Sequence, residues 1–144
     1  MEVSVVKKFA VLCLILSSIL CGCEPRVEEP KEDYEYAVYE ARFSAVLIEN
    51  GSVGDDWSIA YRCGDISIQN GYRWTVPIGN KETVKIDITV TEQDKRSDVG
   101  SGTLSITLAD GFKESTDMIV TENGGRYKGN AARWRITCTV SQIE

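Results

Sequence analysis

Two loop-like segments concentrate the oxygen ligands of this chain. The first runs Glu49-Asn50-Gly51-Ser52-Val53-Gly54-Asp55-Asp56-Trp57, the second Glu92-Gln93-Asp94-Lys95-Arg96-Ser97-Asp98-Val99-Gly100. A hard cation such as Ca²⁺ takes roughly six to eight oxygens, several of them charged, from loops able to wrap it. Two acidic loops at the same end of a fold could supply them, with Glu49, Asp55, Asp56, Glu92, Asp94 and Asp98 as the carboxylates on offer. They equally read as solvated loop acids, the ordinary state of Asp and Glu between strands. Both readings stand at this level.

Other chemistry is poorly supplied. Histidine is absent, which removes the commonest general base and the commonest metal-binding nitrogen. Beyond residue 22 the chain has no Ser-x-x-Lys motif, and it has no nucleophile elbow. Asp55, Asp56, Asp94 and Asp98 would be the carboxylates of a hydrolase, but a domain this small rarely builds a deep cleft. The expectation is a protein that is not an enzyme. The segment Asn123-Gly124-Gly125-Arg126-Tyr127-Lys128-Gly129-Asn130 offers backbone amides and two cations to an anion. It lacks the strand-loop-helix setting of a phosphate loop and reads better as a long hairpin connection.

The N-terminus carries a different signal. Lys7 and Lys8 precede an apolar run from Phe9 to Cys21, interrupted only by Ser17 and Ser18. Those 13 residues fall short of the roughly 20 needed to cross a bilayer as a helix, and have the parts of an export leader. The run ends in Leu20-Cys21-Gly22-Cys23. This resembles the lipobox of bacterial lipoprotein precursors, with an aliphatic residue at −3, a small one at −1 and cysteine at +1. The departure is Cys21 at −2, where small or hydroxylated residues are more usual. The resemblance implies cleavage after residue 22 and a diacylglycerol on the Cys23 thiol. Two or three acyl chains, at about 0.8 kcal/mol per buried methylene, hold a protein to a membrane durably. The expected address is the bacterial envelope, membrane-anchored, in the outer membrane and facing the periplasm or the cell surface.

Residues 23–36 follow as an acidic tether containing Pro25 and Pro30, without an apolar period. Acids soon after the lipidated cysteine resemble surface-export signals of some Gram-negative lipoproteins, and also suit a plain spacer. Removing residues 1–22 takes away two lysines and one glutamate, so the full-chain charge of −6 becomes −7. A net-acidic domain gains nothing from phosphate neutralisation, which argues against nucleic acid as a partner.

The remaining residues, 37–144, must position the two acidic segments. Asn50-Gly51, Asn70-Gly71, Gly79-Asn80, Asp110-Gly111 and Asn123-Gly124 mark tight turns. Between them, apolar residues recur at every second position. Trp57, Ile59, Tyr61 and Cys63 share a face, as do Val84, Ile86, Ile88 and Val90. So do Leu104, Ile106 and Leu108, and Trp134, Ile136, Cys138 and Val140. Strands over Ala41–Ile48, near Ile66–Gln69 or Arg73–Val76, and over Met118–Thr121 complete a set of seven or eight. The fold class is all-β, an antiparallel sandwich with one buried and one solvated face per sheet. Cys63 and Cys138 both fall on core faces. An exported location permits a disulfide between them, and two buried free thiols fit equally well. Trp57, Trp74 and Trp134 suit a glycan platform, although Trp57 and Trp134 alternate with core residues and read as packing.

At this point the domain resembles the C2 superfamily, over roughly residues 38 to 140. Phe43–Ile48 leads into Glu49 and then Asp55-Asp56-Trp57, with Trp57 in place of the family tyrosine. Val84–Val90 leads into Glu92-x-Asp94 and Asp98-Val99-Gly100, then the strand Thr103–Leu108. The departures are Glu for Asp at positions 49 and 92, no proline after Asp55, and a short second loop. The resemblance implies Ca²⁺ held by Glu49, Asp55, Glu92, Asp94 and Asp98, with Asp56 beside them. It also implies a module presenting its loops to a protein, glycan or membrane partner. The alternative expectation is a structural or accessory subunit of an envelope assembly, without metal or small-molecule ligand.

Overall fold

Period-two alternation buries one face of a strand and wets the other, and that rule builds the whole domain. The computed structural model describes residues 35–144 apart from Lys95. The leader, Cys23 and all but the last two residues of the tether lie outside the described residues. Eight strands follow in order: β1 Tyr36–Asn50, β2 Trp57–Cys63, β3 Ile66–Ile68, β4 Tyr72–Pro77, β5 Thr83–Glu92, β6 Asp98–Thr107, β7 Phe112–Thr121 and β8 Ala131–Gln142. They form two four-stranded sheets, ordered β4-β1-β8-β7 and β3-β2-β5-β6. Every pairing is antiparallel. The protein is a β-sandwich.

The inward sets supply the core. Ile86, Ile88 and Val90 of β5 face Ile136, Cys138 and Val140 of β8, with Leu104 and Ile106 of β6 and Val120 of β7 alongside; all are buried. Each large aliphatic side chain taken from water contributes roughly 1.5–3 kcal/mol. Aromatic residues seal the margins. Phe43 stacks on Tyr61 at 4.3 Å, and Trp57 meets Trp134 edge-on at 5.5 Å. Trp74 packs edge-on against Tyr72 at 4.6 Å. All three tryptophans are half-buried against the core.

Three strands run well past their sequence expectation. β1 spans Tyr36–Asn50 rather than Ala41–Ile48, and β6 begins at Asp98, so the connection from β5 is only residues 93–97. β7 runs back to Phe112, where exposed Glu114 and half-buried Thr116 hide the alternation. Both expected segments, near Ile66 and near Arg73, are present as β3 and β4. Cys63 and Cys138 are free thiols in this structure. Burial pushes the Cys138 thiol up to about 11, so it stays protonated and behaves as a small hydrophobe.

The side formed by β6 and β7 depends on two glycines. A Cβ on Gly100 would lie 2.3 Å from the Ile119 carbonyl oxygen, whereas one on Gly102 would meet the flexible end of Met118 at 2.7 Å. Backbone cannot step aside as a thioether can. Gly100→Ala is therefore expected to cost about 1–3 kcal/mol through overpacking, and Gly102→Ala distinctly less. Urea denaturation of the two variants checks the order.

Candidate functional site

Three connections meet at one end of the sandwich: β1–β2, β5–β6 and β7–β8. The registers place them there. Asn50 pairs with Ala132, Trp57 with Glu92, Glu92 with Asp98, and Thr121 with Ala131. The chain enters and leaves at the opposite end, where Tyr36 pairs with Pro77 and Tyr39 with Gln142.

Within sheet β3-β2-β5-β6, Trp57, Glu92 and Asp98 form a lateral row across three strands. The alternation that buries Ile88 and Val90 carries Glu92 to the same interior face. On β6 the inward set starts at Asp98 itself. Glu92 is 2% exposed and Asp98 3% exposed, so two carboxyl groups close the end of an apolar core. The β1–β2 loop covers one of them. A Cβ on Gly54 would lie 2.3 Å from Glu92 Oε1, and Gly54 sits at φ +135°, so this approach needs glycine twice over. Val53 is buried beneath the same loop. The Gln93 amide donates to the Asp56 carbonyl at 2.7 Å and ties this loop to the next.

Partners for these acids are few. Glu92 Oε2 accepts one bond, from the Asp94 amide at 3.2 Å. Asp98 Oδ1 accepts two, from the amide and the side-chain nitrogen of Asn123, both at 3.0 Å. Asp98 Oδ2 is buried with no partner among the described residues. The indole nitrogens of Trp57 and Trp134 are the other orphaned buried atoms, and they lie at the same end. The third buried acid, Glu40, shows the contrast. It accepts from Arg42 at 2.8 Å and Arg73 at 3.2 Å, and these guanidinium groups hold its carboxyl below the usual range. Among the described residues no ion pair reaches Glu92, Asp98 or Glu122.

Electrostatics follow from that poverty. Burial pushes the Glu92 carboxyl up, and the charge of Asp94 pushes it further; the bond from the Asp94 amide opposes them, and Glu122 and Asp98 add the smallest contributions. Glu122 is raised by burial and then by Asp98 and Asp94.

The candidate ligands therefore divide. Glu92, Asp94, Asp98 and Glu122 lie near enough around the β5–β6 connection to feel one another's charge. Glu49 lies exposed on the outer face, 4.0 Å from Arg133. Asp55 and Asp56 are exposed on the covering loop. Glu122 and Asn123 escaped sequence reasoning. Their signal was the inward series Met118, Val120, Glu122, which continues past the end of β7. As the side chains stand, no group of three or more acids among the described residues is gathered closely enough to hold a metal ion. A cation there would have to draw Glu92, Asp98 and Glu122 inward. The chemistry suits such an ion: hard oxygens, charge without counter-charge, and one buried oxygen with nothing to bond.

The remaining candidates are quieter. The segment 123–130 is the β7–β8 hairpin loop with a short 3₁₀ turn at Gly125–Tyr127, and Arg126 lies over the Tyr127 ring at 5.8 Å. Arg135 on the outer face is taken by Asp117 at 2.8 Å.

Glu92 makes a pH prediction whose sign is fixed. Unfolded, it ionises near 4.5; folded, it keeps its proton to higher pH. Above 4.5 the folded state binds more protons, so this group's contribution to stability falls as pH rises through that window. Glu92→Gln, melted in chelator, should gain on the wild type progressively as pH rises above 4.5. A gap independent of pH contradicts the argument. Glu40 and Asp117 slope the other way, and the difference between the two proteins cancels them.

Comparison with protein-family models, with characterised proteins and with solved structures produced no match, and the functional reading rests on this geometry.

Proposed function

We propose that this protein is a lipid-anchored envelope lipoprotein that presents the loop end of a C2-like β-sandwich to a protein, glycan or membrane partner, with Ca²⁺ bound among the loop carboxylates. The observation that carries the calcium part is the pair of buried acids that pair with no cation among the described residues, one of them with an oxygen that no described residue bonds. Burying ionised carboxylates without compensation is costly, and proteins normally relieve it with a counter-charge, a proton or a metal. The eight-strand, two-sheet architecture suits the C2-like reading. Glu92, Asp94 and Asp98 would hold the ion, whose bound charge would cancel their repulsion and set the loops that present the partner surface.

The anchor part rests on Leu20-Cys21-Gly22-Cys23 and the charged tether behind it. The bilayer is one partner by virtue of the acyl chains.

A second reading has one observation of its own. β4 pairs only with Tyr36–Ala41 of β1, and the unpaired side beyond it carries Val46, Leu47 and Ile48, which are 55%, 37% and 40% exposed. An exposed apolar edge suits strand addition by a neighbour in an envelope assembly. Partners recovered in stoichiometric amounts regardless of chelator favour that reading.

Two measurements test the proposal. Cys23→Ala should move the protein from the membrane fraction to the soluble fraction of the envelope, and retention on the membrane overturns the anchor. Calcium affinity near 10⁻⁴–10⁻³ M is expected for an extracellular module. At ten times Kd that stabilises the fold by about 1.4 kcal/mol, a rise in melting temperature of roughly 5 °C. Melts and calorimetry unmoved by millimolar calcium overturn the metal.

A further inference from the structure

The C2 resemblance implies Asp55 as a ligand, with Asp56 beside it, and leaves out the β7–β8 connection; the geometry reverses that division. We infer that Glu122 is a direct ligand of the bound cation, and that Asp55 and Asp56 are not. The inference rests on the cation reading proposed above and assigns the site to the ends of β5, β6 and β7.

Three observations carry it. First, Met118 and Val120 of β7 are buried inward, and the same parity brings Glu122 to the face where Glu92 and Asp98 close the core. Second, the root of the β7–β8 loop is fixed against β6. The Asn123 amide and side chain both donate to Asp98 Oδ1 at 3.0 Å. The Glu122 amide donates to the Asn130 carbonyl and the Glu122 carbonyl accepts from the Gly129 amide, each at 2.9 Å. Glu122 therefore has its backbone held on both sides, is half-buried as a residue, and carries a charge felt at Glu92. Third, with Oδ1 doubly bonded, Asp98 is left with one buried oxygen that nothing satisfies. An acidic cluster alone is ordinary surface chemistry; a nine-tenths-buried carboxylate oxygen without a donor calls for a cation or a proton.

The β1–β2 acids are placed otherwise. Glu49 is engaged with Arg133 on the outer face. Asp55 and Asp56 are exposed, and it is Gly54, together with the Asp56 carbonyl, that contacts the β5 end. The charges felt at Glu92 agree, being those of Asp94, Glu122 and Asp98. Arg96 reaches across from the β5–β6 loop to Gly124, where a Cβ would lie 3.5 Å from its guanidinium, so the two loops that flank the site also touch each other. The β1–β2 loop is a cover, and its acids sit outside it.

The test is calcium titration calorimetry on the full-length chain in detergent, comparing wild type, Glu122→Gln and the double variant Asp55→Asn/Asp56→Asn. Glu122→Gln should weaken calcium binding tenfold or more, and the double variant should stay within twofold of wild type. Because Glu122→Gln removes a repulsion, its melt in chelator should match or exceed wild type, which separates lost ligation from lost folding. Glu122→Asp, keeping the charge on a shorter arm, should recover part of the affinity. Wild-type affinity in Glu122→Gln, or loss of binding in the double variant, overturns the inference while leaving the cation reading intact. No calcium binding by the wild type, including the case in which Asp98 and Glu92 merely share a proton, overturns both.

Discussion

Two carboxyl groups buried at the mouth of an apolar core, with no ion pair among the described residues, are the constraint on which the rest of this structure turns. A carboxylate on a surface loop is solvated and indifferent to its neighbours. The same group at 2–3% exposure has lost most of its water and interacts strongly with every nearby charge. Glu92 and Asp98 are directly opposite one another on adjacent strands, where like charges are mutually destabilising. Glu40 shows that the fold does provide arginines for a buried acid when the role is structural. At the loop end the donors among the described residues are neutral: Asn123 for Asp98 and the Asp94 amide for Glu92.

The sandwich produces this arrangement by mechanical means. Parity along β5 brings Glu92 inward after Ile86, Ile88 and Val90, and pairing with β6 sets Asp98 beside it. The close passage of β6 and β7, permitted by Gly100 and Gly102, brings the end of β7 near enough for Asn123 to hold Asp98. The β1–β2 loop then lies over the cluster through Gly54. Each step is a packing requirement of the core, and the polar end inherits its geometry from the apolar middle. That coupling means a ligand at the loop end acts on the stability of the whole sandwich, since binding to the folded state alone raises its free energy of unfolding.

Much of the architecture was legible because a half-buried strand writes its two faces into alternate positions. Trp57–Cys63 reads residue for residue as β2, and the core faces of β5 and β8 follow from their isoleucines and valines. The alternation fails where its apolar positions turn polar. Glu114 and Thr116 hide the first half of β7, and Asp98 disguises the start of β6 as loop. The site suffered for the same reason. An inward acid and a solvated one look alike in a sequence, so Glu49, Asp55 and Asp56 ranked with Glu92 and Asp98. Only pairing across the sheets separates them: Glu49 meets Arg133 through the β1–β8 register. Glu122 was invisible because it adjoins Asn123-Gly124, whose turn chemistry is an adequate local explanation.

Luminescence of bound Tb³⁺ tests whether a hard cation seats beside the row Trp57, Glu92, Asp98. Tb³⁺ seeks the same oxygen ligands as Ca²⁺ and emits when a nearby indole is excited. A cation seated there predicts sensitised emission that excess calcium displaces, that falls sharply in Trp57→Phe, and that is unchanged in Trp74→Phe at the other end of the sandwich. Absence of sensitised emission, or emission that follows Trp74, would contradict it.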